Sequence, residues 1–187
     1  MNRTGILLFI TAVFCTPLYP VYAEQGRGVE FTTHQYAKTY YRDGSSAGEP
    51  EYDGSPYLYV DLTYLEPVAY KGAPAEKNLR RYCRELYFGF GPEVPEDTRI
   101  GALFSSYASA AEEDWRENGL AVLEEFPDAD SAAMWEIQNS MSIEYNQTGL
   151  LSLGHHIYQY SGGAHGIHST AYSVYDIESG KPVSLDM

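Results

Sequence analysis

The side chain with the strongest claim to chemistry is His165, in the run Tyr-Gln-Tyr-Ser-Gly-Gly-Ala-His-Gly-Ile from Tyr158 to Ile167. Gly162, Gly163 and Gly166 surround it, and glycine permits φ > 0 or a close backbone approach where a Cβ would clash. With Ser161 or Asp176 nearby and glycine amides as an oxyanion hole, such an imidazole has the parts of a hydrolase. No Gly-x-Ser-x-Gly elbow, His-Glu-x-x-His or catalytic-cysteine signature accompanies it. The competing expectation is structural: His165 hydrogen-bonds backbone and locks a glycine turn. We therefore expect no catalytic residue and hold His165 and Asp176 as the catalytic alternative. Tyr160, Ser161, Gly162, Gly163, His165, Gly166 and His168 form the candidate binding set.

A metal centre would need three or four converging donors. His165 and His168 form a His-x-x-His pair, and His155-His156 is a second pair one strand away. Residues three apart, or adjacent, on a strand point to opposite faces, so neither pair converges unless the glycines bend the chain. His155 shares its face with Leu151, Leu153 and Ile157 and reads as a core or subsurface residue. No metal and no cofactor is expected. Glu112-Glu113-Asp114 and Glu124-Glu125 read as solvated helix faces, because adjacency in sequence does not place two carboxylates across a cleft.

The elements that must position these residues follow from periodicity. Val29 to Arg42 reads as a strand with Phe31, Thr33, Ala37 and Tyr41 on one face, and Asp43 to Pro56 as a loop. Tyr57 to Val68 alternates, with Leu58, Val60, Leu62, Tyr64 and Val68 facing one way. Pro74 opens a helix with Leu79, Cys83, Leu86 and Phe90 on its apolar stripe and Gly89 or Gly91 at its end. Its Lys77, Arg80, Arg81 and Arg84 read as a solvated basic face. A second helix runs from Ile100 to about Phe126 along Phe104, Tyr107, Ala111, Trp115 and Val122, and Gly119 invites a break. From Met134 the period becomes 2: a strand, a turn at Asn146-Gln147-Thr148-Gly149, a return strand Leu150 to Tyr160, the glycine crossing, a strand His168 to Ile177, and a last turn at Ser179-Gly180-Lys181. The expected class is α+β, an antiparallel sheet meander packed against two helices.

Composition bounds the address and the partners. Met1 to Ala23 has Arg3, an apolar run from Ile6 to Cys15 too short to span a bilayer, and Val21-Tyr22-Ala23 before a cleavage point. It reads as a signal peptide, with a lipoprotein at Cys15 or an uncleaved anchor as weaker alternatives. The product is then secreted or periplasmic, with no transmembrane segment after cleavage. The whole chain carries a formal charge of −14, and removing Arg3 with the leader makes it −15. So acidic a protein excludes nucleic acid as a partner and favours cationic ones. Cys83 is the one cysteine beyond the leader, so packing rather than a disulfide must stabilise the fold. Eighteen tyrosines point to broad half-buried sheets.

Three stretches resemble a known family in its characteristic order: Leu150-Leu151-Ser152-Leu153, Tyr160 to Gly166, and Tyr175-Asp176-Ile177-Glu178-Ser179-Gly180-Lys181-Pro182-Val183-Ser184-Leu185. The family is the RsiV-like domain, DUF3298. Residues 29–130 resemble more loosely the DUF4163 region that often precedes it in PdaC- and RsiV-type proteins. The resemblance divides the chain into a leader (1–23), an N-terminal strand-helix region (24–130) and an RsiV-like β region (131–187) that stops short of the family's C-terminal extension. It implies an exported cell-envelope domain, since relatives occur in a lysozyme-binding anti-sigma factor and beside peptidoglycan deacetylase domains. The deacetylase and sigma-binding parts have no counterpart here. The expectation is a non-catalytic binding or sensing domain for a cationic protein such as lysozyme, or for peptidoglycan, with a peptidoglycan-modifying hydrolase using His165 as the alternative.

Overall fold

The computed structural model describes residues 28–69, 73–89, 95 and 97–184, so the leader, Phe90 and Gly91 lie outside the described residues. Alternating apolar residues build β1 (Glu30–Tyr41), a two-residue β2 (Ser46–Ala47) and β3 (Tyr57–Ala69). Helices α1 (Ala73–Phe88) and α2 (Ile100–Asp114) follow, then a π-helical turn (Trp115–Gly119), a short α3 (Val122–Glu125) and a 3-10 turn (Asp130–Ala133). β4 (Trp135–Gln147), β5 (Leu150–Ser161), β6 (Ile167–Asp176) and β7 (Lys181–Pro182) complete the chain. All seven strands form one sheet, in the order β2-β1-β3-β4-β5-β6-β7.

The class is α+β, and β4 to β7 are the expected antiparallel meander. The sheet as a whole is mixed, because β3 and β4 run parallel. A parallel neighbour requires a crossover, and the helical segment supplies it. The strand-helix and C-terminal regions thus share one sheet, joined at that pair.

Both main helices lie on one face. Leu79, Cys83 and Tyr87 of α1 and Phe104 of α2 are buried with Leu58, Val60, Leu62 and Tyr64 of β3 and Leu151 and Leu153 of β5. Tyr87 donates to the Asn139 carbonyl at 2.7 Å, which ties α1 to the middle of β4. Burial pushes the Cys83 thiol pKa up, as expected of a small core hydrophobe. Gly89 ends α1 at φ +66°, where only glycine is unstrained.

Local reasons explain where the patterns slipped. Val68 is 40% exposed because β1 and β3 change register there: Glu30 faces Ala69 and Phe31 faces Pro67, which leaves Val68 as the extra residue of a bulge. On β1 only Phe31 of the expected face is buried; Tyr36 and Tyr40 pack against the core, with their hydroxyls bonded at 3.1 Å, and Ala37 is exposed. The second helix breaks as Gly119 suggests. A Cβ at Gly119 would come within 2.5 Å of the buried Trp115 ring, whose indole N–H donates to the Ala133 carbonyl at 2.8 Å. The π turn rotates the following stripe, so Leu123 is buried in place of Val122.

The basic face of α1 is not merely solvated. Arg84 reaches Glu66 of β3 at 3.1 Å, Arg80 approaches the same carboxylate at 3.7 Å, and His34 of β1 meets it at 3.0 Å. The hydrogen bonds from His34 first and then Arg84 hold the Glu66 carboxyl below its usual range despite its partial burial. A depressed carboxylate stabilises the fold above its unfolded pKa and loses that contribution as pH falls through its folded value. Glu66→Gln should therefore cost about 2 kcal/mol at pH 7. The gap to wild type should close as pH falls from about 4.5 through the lowered folded value, as measured by urea unfolding across pH.

Candidate binding face

With the helices on one side, the alternate residues of β3 to β6 form an open face. Their registers align in rows: Tyr59, Glu136 and Tyr160; Asp61, Gln138, Tyr158 and His168; Thr63, Ser140, His156 and Thr170; Ser142, Gly154 and Tyr172. Tyr172 is 67% exposed, and Gln138, His168 and Thr170 are exposed as well. At one end the 48–56 segment covers part of this face. Thr39 donates to the Gly48 carbonyl, Tyr52 meets Tyr57 edge-on, and Tyr57 donates to Glu136 at 2.8 Å.

Carboxylates occur on both sides of the sheet, Glu112, Glu113 and Glu117 among those of the helical segment, but the cations avoid the open strands. β3 to β6 contain no lysine or arginine, while Asp61, Glu136, Glu144 and Asp176 lie on their open side. Arg80, Arg81 and Arg84 are all on α1, engaged with Glu66, Glu76 and Glu85. On the open face burial, then the Glu49 charge, raises the Asp61 pKa. Burial and then Asp61 push the Tyr59 phenol up to about 12.

The glycine run is a tight turn between β5 and β6. Gly162 and Gly163 take φ of +78° and +106°, a Cβ at Gly162 would strike the Ala132 carbonyl oxygen, and one at Gly166 would strike the Tyr158 ring. Tyr160, not His165, bonds its backbone, donating to the Gly163 carbonyl at 3.0 Å. His165 is exposed, with no hydrogen bond, ion pair or ring contact, so it does not lock the turn. Nor does it meet Asp176: β6 separates them by roughly 30 Å, and Asp176 accepts the Glu178 and Ser179 amides in the next turn. Ser161 is exposed at the end of β5. Of the candidate binding set, Tyr160 and His168 lie on the open face, where His168 packs against Tyr158 with ring centroids 4.6 Å apart.

The two adjacent histidines point apart. His155 is buried on the helix side, 2.6 Å from the Asn139 side-chain oxygen and beside Tyr87; burial and then His156 lower its pKa. His156 is on the open face, 2.8 Å from Ser142 Oγ and 3.2 Å from Thr170 Oγ1. Sequence reasoning missed Ser142, Glu144 and Tyr172; their even-residue alternation was legible, but their meeting across a bare Gly154 was not. Among the described residues no group of three or more His, Cys, Asp or Glu side chains could hold a metal ion, and no helix is long and apolar enough to cross a membrane.

A family model described as deacetylase PdaC matches residues 55–168, more than half of the chain and most of the sheet. The chain belongs to the PdaC family. Among solved structures, a DUF3298 family member from Bacteroides fragilis superposes with a TM-score of 0.71 at 20% identity, over 87% of this chain and 62% of that one. This chain therefore spans less than two thirds of that relative, and the likeness is one of fold. A DUF3298 family protein from Pseudomonas aeruginosa gives a TM-score of 0.46 at 17% identity, covering 86% and 58%. No curated protein matches the chain significantly. The expected likeness to PdaC- and RsiV-type domains is shown.

The turn's geometry fixes a ranking of variants. Gly162→Ala should destabilise by about 2–3 kcal/mol, from its positive φ together with the collision at Ala132. Gly163→Ala, with nothing within 4 Å of its Cβ, should cost about 1 kcal/mol. His165→Ala should stay within about 0.5 kcal/mol of wild type. Thermal unfolding of the three variants checks the order.

Proposed function

We propose that the chain is a non-catalytic binding domain of the cell envelope that recognises a cationic protein through its open sheet face. The observation that carries this reading is the absence of cations from the open strands. The arginines of α1 are paired on the helix side, while four strands present carboxylates and tyrosines with no lysine or arginine among them. Such a face attracts a positively charged surface over roughly 8 Å at physiological salt, and its tyrosines supply contact area at low entropic cost. The resemblance to domains of a lysozyme-binding anti-sigma factor supports a muramidase-like cationic partner. The leader reading supports an extracytoplasmic address. Peptidoglycan suits the tyrosines, but a neutral glycan would leave the carboxylates without counter-charge.

The test is a calorimetric titration of the domain with lysozyme at 50 and 300 mM salt. We expect saturable binding that weakens at least tenfold at the higher salt, and Glu136→Lys should weaken it further. Absent binding, or binding insensitive to salt, would remove this reading.

A further inference from the structure

One place on the open face has side chains that converge, and no ligand has been assigned to it. In the row Ser142, Gly154, Tyr172 the middle residue is bare. A Cβ at Gly154 would lie 2.6 Å from Ser142 Oγ, 2.8 Å from His156 Nε2 and 2.9 Å from Glu144 Oε1. Three polar groups thus close over the same patch of backbone and fill the space that a side chain at 154 would take. Tyr172 stands across from them, two-thirds exposed and edge-on to the His156 ring at 6.3 Å.

With a neutral imidazole the hydrogen bonds run in one direction. Ser142 donates to Glu144 Oε1, so Ser142 Oγ accepts from His156 Nε2–H at 2.8 Å. His156 Nδ1 then accepts from the Thr170 hydroxyl at 3.2 Å. Every donor in the chain Thr170, His156, Ser142 points toward Glu144. The Ser142 hydroxyl orients that carboxylate without cancelling its charge, and its Oε2 makes no hydrogen bond. The other titratable groups nearby are Tyr158 and His168 on the same face, His155 on the far face and His156 itself, 4.0 Å from Glu144 Oε1. None is a lysine or arginine.

We propose that the exposed surface between Glu144 and Tyr172, the Glu144 notch, seats a single arginine side chain of the partner. Its guanidinium would bond Glu144 in fork geometry and stack on the exposed Tyr172 ring, outside the Ser142–His156 contact. This rests on the open face being the cation-binding surface and names the residues that set its specificity. Two strand spacings, about 10 Å, separate Ser142 from Tyr172, and a guanidinium fits that span. A planar cation uses both walls at once, whereas an ammonium is a point charge with a more strongly held hydration shell. The site therefore prefers arginine to lysine.

The experiment is a ¹⁵N-NMR titration of the whole domain with N-acetyl-arginine amide, its lysine counterpart and its uncharged citrulline counterpart. The expected result is saturating shifts at Gly154, His156 and Tyr172 with arginine, weaker ones with lysine and none with citrulline. Glu144→Gln and Tyr172→Ala, both surface changes, should abolish the arginine shifts and weaken lysozyme about tenfold or more. Arginine shifts that survive in Glu144→Gln, or that centre on Glu112-Glu113, would overturn the proposal. Lysozyme binding at wild-type affinity in both variants would sink the notch while leaving the open-face reading intact. No lysozyme binding by the wild-type domain would remove that reading, whereas local arginine shifts would still uphold the notch.

Discussion

The rest of the structure depends on a single constraint: a helical crossover covers one side of the sheet. β3 and β4 are parallel, so the chain must travel the sheet's length between them, and α1 and α2 make that journey over the same face. Their buried aromatic and aliphatic side chains form the core with the inward residues of β1, β3, β4 and β5. The opposite face receives no helix, and beyond the part that the 48–56 segment covers its residues are freed from packing.

That freedom explains the distribution of polar groups. Where the helices press, polar atoms find fixed partners: Tyr87 on the Asn139 carbonyl, His155 on the Asn139 side chain, Glu66 among His34, Arg80 and Arg84. A buried or half-buried charge must be paired in this way. On the open side neutral hydroxyls do that work beside water: Tyr57 donates to Glu136 and Ser142 to Glu144, while Asp61, partly buried without a cation, has its pKa raised. The absence of lysine and arginine from four consecutive long strands leaves a negative potential over that face. The hairpin turns are tight. Thr148 and Gly149 both take positive φ in the two-residue β4–β5 turn, and Gly162 and Gly163 do so between β5 and β6.

Much of this was legible in the residues. The alternation of Leu58, Val60, Leu62 and Tyr64, the stripe of α1, the period change near Met134 and the glycine turn all appear where pattern places them. These are local signals, set by the pleat or the helical repeat. The parallel pairing of β3 with β4 was not legible, because strand order across a crossover is decided by long-range packing. Val68 and Val122 fell on the wrong face for a related reason: one residue in a bulge or a π turn shifts the phase without leaving a mark in composition. At the glycine turn the sequence drew attention to His165, the rarest residue type there. The structure uses the glycines and Tyr160 instead and leaves the imidazole in solvent. The convergence at Gly154 joins three strands, and no linear motif records it.

The central claim is that the sheet's uncovered side is the working surface. Tyrosine footprinting by mild nitration, with and without saturating lysozyme, tests it most directly. The account predicts protection of Tyr158, Tyr160 and Tyr172 on binding, with Tyr82 and Tyr107 on the helical side unchanged. Protection confined to Tyr82 and Tyr107, with the open-face tyrosines as reactive as before, would contradict it.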